Sequence, residues 1–421
     1  MRFSLSMRYV IVDPVSDYAQ HIIEFLCSRG LQGIAVFSQE AYVYTFHHLF
    51  VEHIGHCFDD EYLVSEHPSV EALAECIRQE WPEPPLTGII PWDELTINLG
   101  AHLGEALGVA WNSREVIRRF RNKWAMKSYL REHSEVRVNR SRVVESEEEA
   151  LAFVRELGLW PVVAKPAEGA GARSVFFVRN EEELVQRCYQ VFDSGNGQVL
   201  LEEFVFGTEY VVNGIVDAEQ NMLVTDVWRY EKHASHGCEN LYYQTIKVGS
   251  YEEQFWPLAE YAAAVVEALG VRRAPIHMEL KLDEHGPCLI EVGARFAGGN
   301  QPLLSSELHG RSLFELAACH YLAELPLRAD DISYERYDSR HARIVSGIQS
   351  TALERVTEVH GLDEVGQLPS FYMLGRFVPP GAPLPMTVDL GTKSYEVYLV
   401  HESLEQIEAD AAEVRRLIWY R

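Results

Sequence analysis

Glu279 and Glu291 are the side chains whose types and spacing most clearly invite chemistry. They lie in residues 276–293, which read as two short strands about a turn. Suppose Glu284, His285 and Gly286 form a three-residue hairpin loop with Gly286 in the left-handed region. Asp283 then pairs with Pro287, and the count places Glu279 directly opposite Glu291. Met278, Leu280, Leu282, Cys288, Ile290 and Val292 share the other, apolar face. His277 is read as a histidine packed on that apolar side. Opposed like charges about 5 Å apart on a sheet face repel, and a divalent cation between them would reverse that. Mg²⁺ is commonly held by one or two carboxylates, with substrate phosphates completing its shell. A solvated strand face would bear the same two acids equally well, so the residues that follow decide. Arg295 stands just past Glu291, and its guanidinium can reach phosphate or carboxylate oxygens through two parallel hydrogen bonds. Gly298 and Gly299 let backbone approach a ligand closely.

A second group of candidates lies upstream. Lys165 ends the apolar run Pro161-Val162-Val163-Ala164 and precedes a small-residue loop holding Gly169, Ala170 and Gly171. A lysine at a strand end can project its ammonium onto a phosphate, and loop N–H groups can cradle phosphate oxygens; an ordinary turn has the same composition. Residues 113–131 read as one basic helix with Arg114, Arg118, Arg119, Arg121, Lys123, Lys127 and Arg131. This is a local inversion of sign in an acidic chain, suited to a phosphate-facing surface or to a solvated helix face.

The elements that must position these groups follow from periodicity. Residues 7–12 and 33–37 are apolar strands separated by an amphipathic helix that stops at Gly30, and 88–91 is a later strand followed by a helix ending at Gly108. Strand–helix–strand alternation predicts a parallel, doubly wound unit, and no G-x-G-x-x-G follows the first strand to suggest a dinucleotide. Two mixed units come next: a strand at 141–144, a helix opened by Ser146 and Glu149, strands at 161–166 and 174–178, a helix opened by Asn180 and Glu183, and a strand at 199–205. A hairpin over 209–230 and a helix ending at Gly270 precede the carboxylate hairpin.

Size and composition bound the reading. A length of 421 residues predicts two to three domains. The 37 basic and 63 acidic residues leave a net charge of −26, which argues against nucleic acid and anionic membranes as main partners. No run of 18 apolar residues predicts a membrane span, and the first residues lack the apolar core of a signal peptide, so a cytoplasmic protein is expected. Seven widely spaced cysteines without C-x-x-C fit a reducing compartment and buried thiols, not a disulfide framework or zinc site.

Taken in order, Lys123, Lys165, the glycine loop, Glu202 to Glu209, Glu279, Glu291 and Arg295 resemble the ATP-grasp superfamily. The wording Glu-Val-Gly-Ala-Arg-Phe-Ala-Gly-Gly is most similar to the branch of L-amino acid ligases that make dipeptides. The resemblance implies an α/β protein with an ATP-grasp fold, two α+β subdomains clasping ATP, preceded by a Rossmann-like parallel α/β domain. The expected boundaries are residues 1–112 for the first domain, 113–197 for the small lid subdomain, and 198–421 for the large subdomain with a C-terminal extension. It implies phosphate contacts from Lys123, Lys165, Gly169, Ala170 and Gly171. Glu202 would lie near the adenine amino group, Phe204 and Val205 would form the hinge beside the adenine, and Glu209 would hold the ribose. Glu279 and Glu291 would hold Mg²⁺, with Mn²⁺ as an alternative. Many family members have Asn two residues after the second metal glutamate; this chain has Gly293, so Glu291 would bind with both oxygens or water would fill the shell. Arg295 is the candidate for the acylphosphate and the oxyanion, and His236, in the segment expected above the substrate cleft, for a donor or base. The implied activity is ATP-dependent ligation of an amino acid carboxylate to an amine, that of a second amino acid, by a homodimer. Two alternatives are loading an amino acid onto a carrier protein or other larger acceptor, and nucleotide binding without turnover. Both metal glutamates and Arg295 argue against the latter.

Overall fold

The computed structural model describes residues 7–83, 85–109, 111–169, 174–194, 197–322 and 327–421. β1 (Arg8–Val12) is buried along its whole length, as a central parallel strand must be. The helix Asp17–Ser28 follows, capped by Ser16, whose Oγ accepts from the Ala19 N–H at 3.1 Å. β2 (Gln32–Phe37), β3 (Phe58–Leu63) and β4 (Leu86–Ile90) complete a parallel sheet of order β3-β2-β1-β4. The chain reverses direction at β1, with β2 on one side and β4 on the other. The carboxyl ends at such a point are where open α/β sheets bind ligands. Trp92 locks that edge, donating Nε1–H to the carbonyls of Val12 and Asp13 at 3.1 and 3.0 Å. Two residues on, Glu94 leaves the same edge.

The basic stretch is two helices rather than the one expected: Arg114–Arg121 and Lys123–His133. Asn122 leaves the helical region and its Oδ1 accepts from the Ala125 N–H at 2.9 Å, so it starts the second helix. Lys123 thereby occupies a first turn, at the end of the helix that faces the cleft.

A small antiparallel sheet comes next. It consists of β5 (Ser141–Val144), β6 (Val162–Lys165), β7 (Phe176–Val178) and β8 (Val199–Glu203) in the order β5-β8-β6-β7. Helices Glu147–Leu157 and Glu181–Ser194 bury Phe153, Val154, Leu184 and Val191 against it. Ser146 caps the first of these as expected, but Glu149 reaches back to the Glu145 N–H, one residue before the box position. β8 pairs with both β5 and β6, so the small sheet runs past residue 198 and the chain leaves it only after Glu203.

Residues 204–207 cross to the large sheet. Gly207 is required there twice over: its φ is +112°, and a Cβ would lie 2.3 Å from the Leu282 carbonyl oxygen. The large sheet contains β9 (Thr208–Val216), β10 (Met222–Ser235), β11 (Cys238–Val248), β12 (Ala274–Asp283), β13 (Gly286–Gly293) and β14 (His341–Ser346). Past β15 (Val359–His360), β16 (Phe371–Phe377) and β17 (Tyr395–His401) extend it to eight strands, ordered β13-β12-β9-β10-β11-β14-β17-β16. β18 (Trp419–Tyr420) pairs with β15 in a separate ribbon. The helix Phe255–Leu269, stopped by Gly270 at φ +82°, buries its apolar face on this sheet together with Ile117, Phe120, Met126 and Leu130. Among the described residues, no helix is long and apolar enough to cross a membrane.

The hairpin β12–β13 pairs Glu279 with Glu291 as predicted, but by a different route. The loop is the two residues Glu284 and His285, closed by Asp283 opposite Gly286. Leu280 faces Leu289, and a bulge at Ile290 then restores the acidic pair. The bulge turns Leu289 into the core, fully buried, and puts Ile290 in the cleft wall, whereas an unbroken count assigns Ile290 to the core face. Arg137 clamps the loop with two 2.7 Å bonds to the Asp283 carboxylate and one to the Gly286 carbonyl.

Candidate active site between the two sheets

The small and large sheets face each other across a cleft enclosing about 880 Å³, solvent at its mouth included. Its floor is the outward row of β12 and β13. Glu279 and Glu291 lie here, and Lys281 shares the row two residues from Glu279. His277 belongs to the same row, contrary to the expectation that it packs on the apolar face. Strand alternation gives residues 277 and 279 one side, and His277 Nε2 lies 3.6 Å from Glu279 Oε1 while Nδ1 meets Asn213 Oδ1 at 2.8 Å.

Lys123 closes over the acidic pair. Its Nζ is 2.9 Å from Glu291 Oε2 and donates to the Gly169 carbonyl at 2.9 Å. The start of its helix is stitched to the loop after β6, with Lys123 N–H on the Ala167 carbonyl at 3.0 Å and Asn122 Nδ2 on Glu168 Oε1 at 3.1 Å. Burial pushes the Glu291 carboxyl up, but Lys123, Lys165 and Arg295 outweigh it and hold it at about 2. A lysine thus supplies part of the positive charge that the carboxylate pair calls for. Gly169, at φ +143°, lines the cleft, and no described residue comes within 4 Å of where its Cβ would be. Ala170 and Gly171 lie outside the described residues.

Behind this surface is an ion cluster. Glu202, 2% exposed, has Oε1 2.7 Å from Lys127 Nζ and Oε2 2.8 Å from Lys165 Nζ. Lys127, itself fully buried, also donates to Asn139 Oδ1 at 2.6 Å. Burial brings the Lys127 ammonium down to about 8. Burial also raises the Glu202 carboxyl, but the attraction of Lys127 and then Lys165 prevails and holds it at about 2 against an ordinary 4.5. Both Glu202 oxygens are therefore engaged by lysines, and the residue fixes where Lys165 points. A carboxyl depressed in this way contributes stability that is complete above about 4.5 and lost as the pH falls toward about 2. Glu202→Gln is expected to cost on the order of 3–5 kcal/mol, the typical effect of breaking a buried pair by removing one partner. It should also flatten the fall in stability between pH 4.5 and 2 that the wild type shows in urea unfolding. An unchanged acid limb in the variant would show that the cluster does not set it.

The crossing segment forms one end of the cleft. Lys281 Nζ donates to the Val205 carbonyl at 2.9 Å and lies 4.4 Å above the Phe204 ring, so the segment is held against the large sheet. Glu209, at the start of β9, pairs with Lys232 at 2.5 Å, and Lys232 rests 4.2 Å from the Tyr242 ring centroid. Arg295 does not line this cleft but a small adjoining pocket that shares Lys123, Gly169 and Glu291 with it; there its Nε donates to Glu94 Oε2 at 2.6 Å and Nη1 to the Phe296 carbonyl at 2.8 Å. The second Glu94 oxygen takes Arg121. A Cβ on Gly293 would lie 3.2 Å from Glu94 Oε2; the space where a side chain at 293 would begin borders the Glu94–Arg295 pair.

His236 stands apart. The segment expected above the substrate cleft is mostly the paired ends of β10 and β11, with Ser235 opposite Cys238. His236 and Gly237 make a two-residue turn with φ +41° and +83°, the geometry of a type I′ hairpin. His236 Nε2 meets the Thr387 carbonyl at 2.7 Å, and His236 does not line the cleft. His233 is stacked on Tyr243, 3.8 Å between centroids. The tip instead contributes Asn240 to the cleft wall, which Leu390 also lines.

Several site residues escaped the sequence reading. Lys281 was available from strand parity with Glu279, Lys127 from its i+4 spacing to Lys123, and Glu94 from its place just past a parallel strand. Arg121 was visible only as one of a basic run, and for Lys232 no signal exists short of the β10 register.

Residues 159–302 match the ATP-grasp domain family, and the crystal structure of an L-amino acid ligase from Bacillus licheniformis superposes with a TM-score of 0.77, covering 100% of both chains at 22% identity. The chain contains an ATP-grasp domain and has the ATP-grasp fold. Two curated relatives are similar over part of their length. Dapdiamide A synthase of Enterobacter agglomerans is 29% identical over 239 residues, 54% of this chain and 54% of that protein. The L-arginine-specific L-amino acid ligase of Bacillus subtilis is 22% identical over 266 residues, 62% of this chain and 64% of that protein. The matched ATP-grasp segment holds Lys165, Glu202, Glu209, Glu279, Glu291 and Arg295. Lys123, which lines the cleft, Lys127, buried behind it on Glu202, and Glu94, in the adjoining pocket, lie outside the matched segment, in the helices and the parallel domain that precede.

Proposed function

We propose that this protein is an ATP-dependent carboxylate–amine ligase that activates an amino acid carboxylate as an acylphosphate and transfers the acyl group to the amine of a second amino acid, releasing ADP and phosphate. The observation that supports this most is the opposed Glu279/Glu291 pair under Lys123 and Lys165, with Arg295 at the end of the same strand. The pair is a hard oxygen donor set suited to Mg²⁺ or Mn²⁺. When bound there, the metal neutralises charge on the transferring phosphoryl group.

This chain's own residues do the rest. Lys165, aimed by Glu202, and Lys123 bind phosphate oxygens. Phe204 and the Val205 backbone, braced by Lys281, seat the adenine edge, and Glu209 takes ribose hydroxyls. A substrate carboxylate oxygen attacks the terminal phosphorus and ADP leaves. The amine, deprotonated, then attacks the acyl carbon, and the tetrahedral centre collapses with loss of phosphate. Arg295 holds the acylphosphate and the developing oxyanion. The L-amino acid ligases among the similar proteins support an amino acid as a substrate.

The test is phosphate release from ATP with free amino acids, singly and in pairs, with products identified by mass spectrometry. Release that requires two amino acids together, with a dipeptide mass, is expected. Release without an amide product, or none with any pair, would sink the reading. For the nucleotide site, Lys165→Ala is expected to weaken ATP binding at least tenfold, because one charge-assisted contact is worth about 1.5–3 kcal/mol. Amino acid binding should change little. Unchanged ATP affinity by calorimetry would reduce Lys165 to a partner of Glu202.

A further inference from the structure

The parallel domain holds a second cluster of ligating groups that the ATP-grasp chemistry does not use. Cys27 is in the last turn of the helix Asp17–Ser28, and His56 and Cys57 immediately precede β3. One ligand atom from each lies within 4.8 Å of the others. We propose that Cys27, His56 and Cys57 form a zinc site that ties the first helix to the entry of β3.

Four observations support it. The donor set is two sulfurs and one imidazole nitrogen, the combination that favours a thiophilic, tetrahedral ion over Mg²⁺. In a tetrahedral site with metal–nitrogen bonds of about 2.0–2.1 Å and metal–sulfur bonds of about 2.3 Å, nitrogen and sulfur stand about 3.5 Å apart; His56 Nε2 and Cys57 Sγ are 3.5 Å apart. The cluster is reachable, with Cys57 buried, Cys27 partly buried and His56 exposed. Finally, the Tyr9 hydroxyl is fully buried, has no hydrogen-bond partner among the described residues and lies within electrostatic reach of both sulfurs. Metal-bound thiolate is a stronger acceptor than thiol, so ligation would give that O–H a partner, as outer-shell donors do in zinc sites. Glu24, one turn before Cys27 on the same helix face, or a water completes the shell. Binding replaces two S–H protons by one Zn²⁺, so two protons leave to solvent. Spacing alone gave no hint of this, because the cysteines share no C-x-x-C and the fold supplies the proximity.

The test uses the full chain, reduced and stripped with a chelator, with ADP and excess Mg²⁺ present to occupy the carboxylate pair. Co²⁺ serves as the optical probe. One equivalent should produce thiolate-to-cobalt charge transfer and the intense visible bands of tetrahedral cobalt, both erased by one equivalent of Zn²⁺. Cys27→Ser and His56→Ala, at positions that are not fully buried, should each weaken binding at least tenfold and leave phosphate release unchanged; Cys76→Ser should bind as the wild type does. Absence of charge transfer in the reduced wild type would overturn the proposal, as would charge transfer that survives Cys27→Ser. So would a chain that only forms a Cys27–Cys57 disulfide in air, two hydrogens lighter, and takes up no metal once reduced.

Discussion

Glu291→Ala is expected to lower Mg²⁺-dependent phosphate release by about 10²–10⁴-fold, and extra Mg²⁺ should not restore it. Charge stabilisation by a metal on a phosphoryl group is worth several kcal/mol, and each 1.36 kcal/mol is tenfold in rate. The cause lies in the sheet register, which places two carboxylates directly opposite each other on the cleft face. Lys123 compensates one of them at 2.9 Å, but a single ammonium shared with the Gly169 carbonyl cannot neutralise two acids and the phosphates of ATP. Glu291→Ala alone leaves a question of stability, because its carboxyl is held at about 2 by Lys123, Lys165 and Arg295, and losing it removes those attractions. Glu279→Gln resolves that question. Among the described residues its ion-pair partner is His277 at 3.6 Å, so relieving the repulsion should leave the melting temperature unchanged or higher while phosphate release still collapses. Full release by Glu291→Ala at ordinary Mg²⁺, or by Glu279→Gln, would remove the metal from this pair.

The register also illustrates how much of the site was legible. Counting back from a three-residue loop reached the right pair because two departures cancel: the loop is one residue shorter, and Ile290 bulges out. Local turn chemistry suggests a loop length, but a bulge is set by what the strand must pack against, here Leu289 turned inward and Ile290 toward the cleft. The order of strands and helices was readable because the apolar runs are periodic and bounded by glycines in left-handed positions, such as Gly108 and Gly158. The break at Asn122 was hidden inside a run of basic residues whose helical propensity is uniformly high. Lys127 looked like one more solvated lysine. Only the packing of β8 against its helix shows that it is fully buried on Glu202. Glu94 meets Arg295 across two hundred residues of chain, a contact made by tertiary structure alone.

That long-range contact sharpens the test of Arg295. Arg295→Lys keeps one positive charge but loses the planar fork that can hold two oxygens at once. If Arg295 grips the acylphosphate and the oxyanion, its charge matters most in the transition state, and loss of one such donor costs about 10²–10³ in rate. ATP affinity should stay nearly intact, since the residues proposed to hold the nucleotide are Lys165, the crossing segment and Glu209. The competing role is structural. Glu94 comes from the parallel domain, binds Arg121 and Arg295 together, and so ties that domain to the end of β13. The two roles separate in a double-mutant cycle with Glu94→Gln. If Arg295 is only a tie, each single variant should lose the same stability, the double variant no more than either, and the rate should follow the folded fraction. If Arg295 acts in the chemistry, Arg295→Lys should lose its rate at temperatures where it is fully folded, and Glu94→Gln, which keeps the guanidinium, should retain more of it. An Arg295→Lys protein that melts several degrees early yet ligates normally in the cold would take Arg295 out of the mechanism and leave it as the tie between domains.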